Sequence, residues 1–229
     1  MMKLSELFWT CHTISYDTVG DNVNYKFVED DSTLYIYFQG SNQTKDWIRN
    51  FMFKDVPYKD MDIKYKVHKG FLVAWKEVED IIINKIKETL PQADKSGPKA
   101  YRWKHIVVVG YSHGAALSGF CHECVWFHRD DLRNKGLEGY GFESPRFFSA
   151  YIIPEALRDR WSNYYIIKNY NDIVTHCPPW IFKYHHVGNL IKIKTKRKIG
   201  PIKAHFPEEV MASLVNYENQ SSIINTKIK

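Results

Sequence analysis

The apolar positions fall into segments of distinct period. Val23 to Val28 and Leu34 to Gln39 are rich in aromatic and β-branched residues and flank the acidic turn Glu29-Asp30-Asp31-Ser32, which predicts two antiparallel strands. From Gly70 to Leu90, Phe71, Val78, Ile81, Ile82, Ile86 and Leu90 recur at helical spacing until Pro91 stops the pattern, so this stretch predicts an amphipathic helix. Beyond a polar loop around Lys95 to Pro98, the run His105-Ile-Val-Val-Val-Gly110 is apolar throughout, as in a strand covered on both faces. A helix from about His113 to Arg129, a strand over Leu137–Phe142, a helix near Pro154 to Trp161 and a strand over Tyr164–Asn169 follow. The alternating lysines from Lys192 to Lys203, with Ile191, Ile193 and Ile199 turned inward, predict an edge strand pair, and a helix over Pro207–Tyr217 closes the chain. Strands alternating with helices imply an α/β fold, a mostly parallel central sheet with helices on both faces.

Length and composition narrow this picture. With 229 residues, 44% of them hydrophobic and 25% charged, the chain suits one globular domain over residues 1–229, with residues 220–229 expected to fray. Nothing in the first thirty residues resembles a signal peptide and no run is apolar enough to span a membrane, so Cys11, Cys121, Cys124 and Cys177 read as reduced thiols of a cytoplasmic protein. The formal charge is +6, and the basic stretch between Lys192 and Lys203 is its densest part. Such lysines guard a sheet edge as readily as they meet an anionic surface, so no nucleic-acid partner is expected, while transient contact with a lipid surface stays open.

The strongest chemical signal is Gly110-Tyr111-Ser112-His113-Gly114, a G-x-S-x-G turn between a buried strand and a helix. Glycines on either side let the chain turn sharply enough for Ser112 to project from the sheet end as a nucleophile, and the helix start aims free N–H groups at an oxyanion. A serine hydroxyl needs a histidine to take its proton and an acid to orient that histidine. In the α/β-hydrolase order of serine, acid, histidine, Asp172 follows a late strand and His205 lies in a loop before the last helix. Plainer roles exist for both: Asp172 as a turn carboxylate, His205 as a residue near a helix N-terminus.

These residues sit within a wider pattern. Tyr37-Phe38-Gln39-Gly40-Ser41 with Asp46-Trp47, Val67-His68-Lys69-Gly70-Phe71, the Ser112 elbow, Gly141-Phe142-Glu143-Ser144-Pro145-Arg146, Asn171-Asp172-Ile173-Val174 through Pro178-Pro179, His186-Val187-Gly188 and Ala204-His205 occur in that order. In this the chain resembles the class 3, fungal-lipase-like branch of the α/β-hydrolases. The resemblance implies a lipase or esterase acting on acylglycerols or other fatty-acyl esters, small-molecule or lipid, with Ser112, Asp172 and His205 as triad and no cofactor or metal. It also implies an oxyanion hole built from Ser41 and the N–H of His113, and a lid within residues 41–60 whose stripe Trp47, Ile48, Phe51 and Met52 either meets acyl chains or packs on the core.

Some positions depart from the family pattern. Tyr111 stands where His is usual, His113 where Leu is common, Gln39 where Arg is usual, and Glu143 where Gly is usual. Because Glu143 ends the strand before Asp172, it is an alternative triad acid. A phospholipase or lysophospholipase of the same mechanism is a second reading, and a catalytically silent hydrolase-fold protein that docks through the basic 192–203 strand pair is a third. Cys121-x-x-Cys124 with His128 has zinc or redox spacing but lies inside a predicted helix, and His176, His185 and His186 near Cys177 read as structural.

Overall fold

The computed structural model describes residues 2–21, 23–40, 54–58, 65–91, 100–194 and 198–227. In chain order the elements are α1 (Leu4–Thr13), β1 (Asp17–Val19), β2 (Val23–Asp30), β3 (Thr33–Phe38), β4 (Asp55–Tyr58), β5 (Tyr65–His68), α2 (Lys69–Ile86), β6 (His105–Tyr111), α3 (His113–His128), β7 (Leu137–Phe142), β8 (Phe148–Ser149), α4 (Glu155–Arg160), β9 (Tyr164–Asn169), β10 (Tyr184–His185), β11 (Asn189–Ile193) and α5 (Pro207–Lys227). Seven strands form the main sheet in the order β1-β2-β3-β6-β7-β9-β11. The β1–β2 and β2–β3 pairs are antiparallel, and every pair from β3 to β11 is parallel.

Alternation along the strands divides the core in two. On β3 and β6, Leu34, Ile36, Phe38, Ile106 and Val108 join Phe71, Trp75, Val78, Ile82, Ile86 and Phe120 of α2 and α3 on one face. Tyr37 and Val109 point the other way, into a second cluster with Leu7, Phe8, Phe142, Ile167, Ile193, Val210 and Leu214, under α1 and α5. A sheet apolar on both faces must be covered on both, and these helices do so. A smaller sheet, β10-β8-β5-β4, sits beside the first.

Several expectations need correction. The helix ends at Ile86, because residues 88–90 turn to pair with 100–102 instead: Leu90 donates to the Ala100 carbonyl, and Arg102 to that of Glu88. Leu90 is accordingly exposed despite its helical spacing. The basic strand pair is not formed among the described residues: β11 is a single parallel edge strand ending at Ile193, and residues 198–202 are not strand. Of the expected lid, Asp55–Tyr58 is β4, with Tyr58 wholly buried; Trp47, Ile48, Phe51, Met52 and Ser41 lie outside the described residues. The closing helix runs to Lys227 rather than Tyr217.

Helix α3 is buried nearly all round, which explains why it carries so little polar surface. Its His122 is fully buried against the Tyr164 ring, 5.2 Å between centroids, with neither ring nitrogen partnered among the described residues. Burial lowers its pKa from 6.5 to about 3. The folded protein therefore keeps this imidazole neutral while the unfolded chain protonates it below pH 6.5, so the contribution to stability is complete above that pH and is lost as pH falls towards 3. Each such imidazole costs about 1.4 kcal/mol per pH unit in that window. Urea unfolding of His122→Leu is expected to show a shallower loss of stability between pH 6.5 and 4.5 than wild type by about that slope; parallel pH profiles would refute it.

Candidate active site

Four neighbouring parallel strands deliver one side chain each to the same sheet edge: Ser112 follows β6, Glu143 follows β7, Asp172 lies beyond β9 and His205 beyond β11. The turn at Ser112 is set by backbone contact. A Cβ on Gly110 would lie 2.1 Å from the Gly114 carbonyl oxygen, and one on Gly114 would lie 2.3 Å from that of Phe38. Only glycine fits both places, so α3 starts pressed onto the strand ends. Ser112 takes the strained angles φ 56°, ψ −121°, and its N–H is tied to the Phe142 carbonyl at 2.9 Å.

From there an unbroken hydrogen-bond chain runs through buried side chains. Ser112 Oγ lies 2.8 Å from His205 Nε2, and His205 Nδ1 lies 2.7 Å from Asp172 Oδ2. With Nδ1–H donating to the carboxylate, Nε2 keeps its lone pair for the serine hydroxyl. Asp172 is held in turn: its Oδ1 accepts the Val174 N–H at 2.8 Å, and its carbonyl accepts the Thr175 hydroxyl at 2.8 Å. The loop carrying His205 is clamped from two sides. Asn169 Nδ2 donates to the Ala204 carbonyl at 2.9 Å, the Tyr111 hydroxyl donates to the His205 carbonyl, and the Tyr111 ring stacks on the imidazole at 5.3 Å.

The structure thus brings Ser112, Asp172 and His205 together, with His205 bonded to Asp172, and puts Glu143 beside them, its carboxyl within 4.8 Å of both Asp172 and His205. His113 opens α3, where the first N–H groups lack intrahelical acceptors, and burial, helped by His68, lowers its side-chain pKa to about 4, so it adds no charge beside the serine at neutral pH. Gly40 packs against the nucleophile, its Cβ position 3.3 Å from Ser112 Cβ; Ser41 lies outside the described residues. Asn169 went unread in the sequence; its polar side chain at the end of an apolar strand, just before Asn171-Asp172, was the available signal.

Other candidates separate from this site. Glu143, Asp172 and His205 offer ligand atoms within 4.8 Å of one another, yet His205 Nδ1 and Asp172 already bond directly, so the group reads as a hydrogen-bond chain. Cys121 and Cys124 are buried within α3, and burial pushes both thiols up, away from the thiolate that metal or redox chemistry needs. His185 and His186 bond to the carbonyls of Ala150 and Thr175.

Comparison with known proteins gives the family and the fold. The family model described as Lipase (class 3) matches residues 35–182, more than half of the chain. A lipase of Rhizomucor miehei is 28% identical over 183 residues, covering 78% of this chain and 46% of its own length. The secreted mono- and diacylglycerol lipase A of Penicillium cyclopium is 28% identical over 184 residues, covering 77% of this chain and 54% of its own. The chain therefore spans about half the length of these curated relatives. Among solved structures, Rhizomucor miehei triacylglyceride lipase superimposes with a TM-score of 0.62 at 26% identity, over 79% of this chain and 65% of that one. Another, titled as a triacylglycerol lipase whose catalytic centre is a serine protease triad, gives 0.62 at 25% identity, over 80% of this chain and 66% of that one. No helix among the described residues is long and apolar enough to cross a membrane. On the family match and the shared fold, the chain belongs to the class 3 lipase family.

Proposed function

We propose that this chain is a serine ester hydrolase that cleaves fatty-acyl esters of glycerol. The observation that carries the reading is the continuous Ser112–His205–Asp172 hydrogen-bond chain in a member of the class 3 lipase family. In the first step Ser112 Oγ attacks the ester carbonyl carbon while His205 Nε2 takes its proton, and the developing oxyanion is received by the N–H of His113 together with Ser41. The imidazolium, stabilised by Asp172, protonates the departing alcohol. Water then attacks the acyl-enzyme with His205 again as base, releasing the fatty acid and restoring Ser112. The acylglycerol substrate class is carried over from the relatives, whose names include mono- and diacylglycerol lipases, and a lipid surface would be the partner on which such substrate is met.

Ser112→Ala should lower hydrolysis of p-nitrophenyl esters by at least about 10³-fold with the fold intact. Asp172→Asn should lower kcat by about 10⁴ through the wrong His205 tautomer. Assayed from acetate to palmitate, wild type should favour the longer esters. Residual Ser112→Ala activity above about one-tenth of wild type would remove the nucleophile, and a sharp preference for acetate would remove the lipid substrate.

The free thiols of Cys11, Cys121, Cys124 and Cys177 support a reducing, cytoplasmic setting, in contrast to the secreted relative. Cell fractionation should recover the protein inside the cell; recovery from the medium contradicts this setting.

A further inference from the structure

Glu143 has no part in the acyl-transfer steps above, yet it is wholly buried beside them. It adopts φ 51°, a left-handed conformation that strains any residue bearing a Cβ and suits the glycine usual at this position in the family pattern. A side chain kept in such a backbone needs compensating contacts. Both of its carboxyl oxygens accept the Asn169 N–H, at 2.8 and 3.0 Å, and its carboxyl also lies within 4.8 Å of that of Asp172. Two carboxylates buried this close together repel each other unless one carries a proton. Asp172 already uses both oxygens as acceptors, Oδ1 for the Val174 N–H and Oδ2 for His205 Nδ1. The proton between them therefore belongs on Glu143.

We propose that Glu143 is a positioning residue, a neutral carboxylic acid whose O–H donates to Asp172 and extends the chain to Glu143–Asp172–His205–Ser112. The inference rests on the triad reading and goes beyond it: the acid would be a proton-sharing pair in which Asp172 holds the charge and Glu143 fixes its orientation. The groups facing Glu143 are Tyr111 at the end of β6, Lys168 on β9, and Asp172 and His205 on their loops. Burial, then the Asp172 charge, holds its carboxyl well above the usual carboxylate range, against the weaker pull of the Asn169 N–H and the Lys168 ammonium. By drawing charge from Asp172, the donor also makes the His205 imidazolium less stable, so the acid limb of kcat/KM lies at lower pH than it would without it.

Infrared difference spectra and pH–rate profiles of the full chain test this. At pH 7, wild type minus Glu143→Gln should show the carbonyl stretch of one protonated carboxylic acid. Glu143→Leu, which removes the donor and strands the Asn169 N–H, should lower kcat roughly 10- to 100-fold and move the acid limb to higher pH. Glu143→Gln should rescue most of that loss, because its amide can both donate to Asp172 and accept from Asn169. Should Glu143→Leu fail to fold, the spectrum and the Glu143→Gln profile still decide. No protonated-acid band, or a Glu143→Gln acid limb moved to lower pH as loss of a negative charge demands, overturns the proposal. Ester hydrolysis that survives Ser112→Ala instead overturns the triad reading beneath it.

Discussion

The site depends on one steric constraint, the backbone contact between the first turn of α3 and the ends of β3 and β6. With the Gly110 Cβ position 2.1 Å from the Gly114 carbonyl and that of Gly114 2.3 Å from Phe38, no side chain can be inserted without moving the helix off the sheet. The contact forces Ser112 into its left-handed turn and aims both its hydroxyl and the start of α3 at the space where a reacting carbonyl must sit. Burial of α3 on all sides and the sheet core beneath it supply the packing that keeps this strained residue in place.

A second consequence comes from parallel pairing. Because β6, β7, β9 and β11 are neighbours running the same way, each chain segment that leaves one of them starts at the same edge. Residues distant in sequence then need only short loops to meet. His205 has the longest reach from its strand and also the most restraint, through Asn169, Tyr111 and Asp172. Tyr111 at the position usual for His fits this role: burial and nearby carboxylates push its phenol well above the ordinary range, so it stays a hydrogen-bond donor to the histidine loop.

Much of this was legible from residues. The all-apolar β6, the glycine-flanked Ser112 and the strand before Asp172 each carry a local pattern that survives folding, and the order of serine, acid and histidine followed. What local pattern could not resolve was decided by contacts between distant segments. Asp172 and Glu143 both follow strands of the parallel sheet, and only the 2.7 Å contact to His205 separates them. Helix α1 went unread because its polar residues mask a stripe of Leu4, Leu7, Phe8 and Cys11, which gains meaning once the second face of the sheet needs cover. The 192–203 lysines alternate like a strand pair, but among the described residues β11 ends at Ile193 and residues 198–202 form no strand. Leu90 had helical spacing by coincidence, its backbone being claimed by Ala100.

The central claim is that Ser112, His205 and Asp172 work as one activated nucleophile. Covalent labelling by a fluorophosphonate, located by peptide mass spectrometry, tests it most directly, because only an activated serine reacts quickly. The account predicts a single modified residue, Ser112, with labelling lost in His205→Ala and slowed in Asp172→Asn. A folded protein that takes no label, or takes it on another serine, would contradict it.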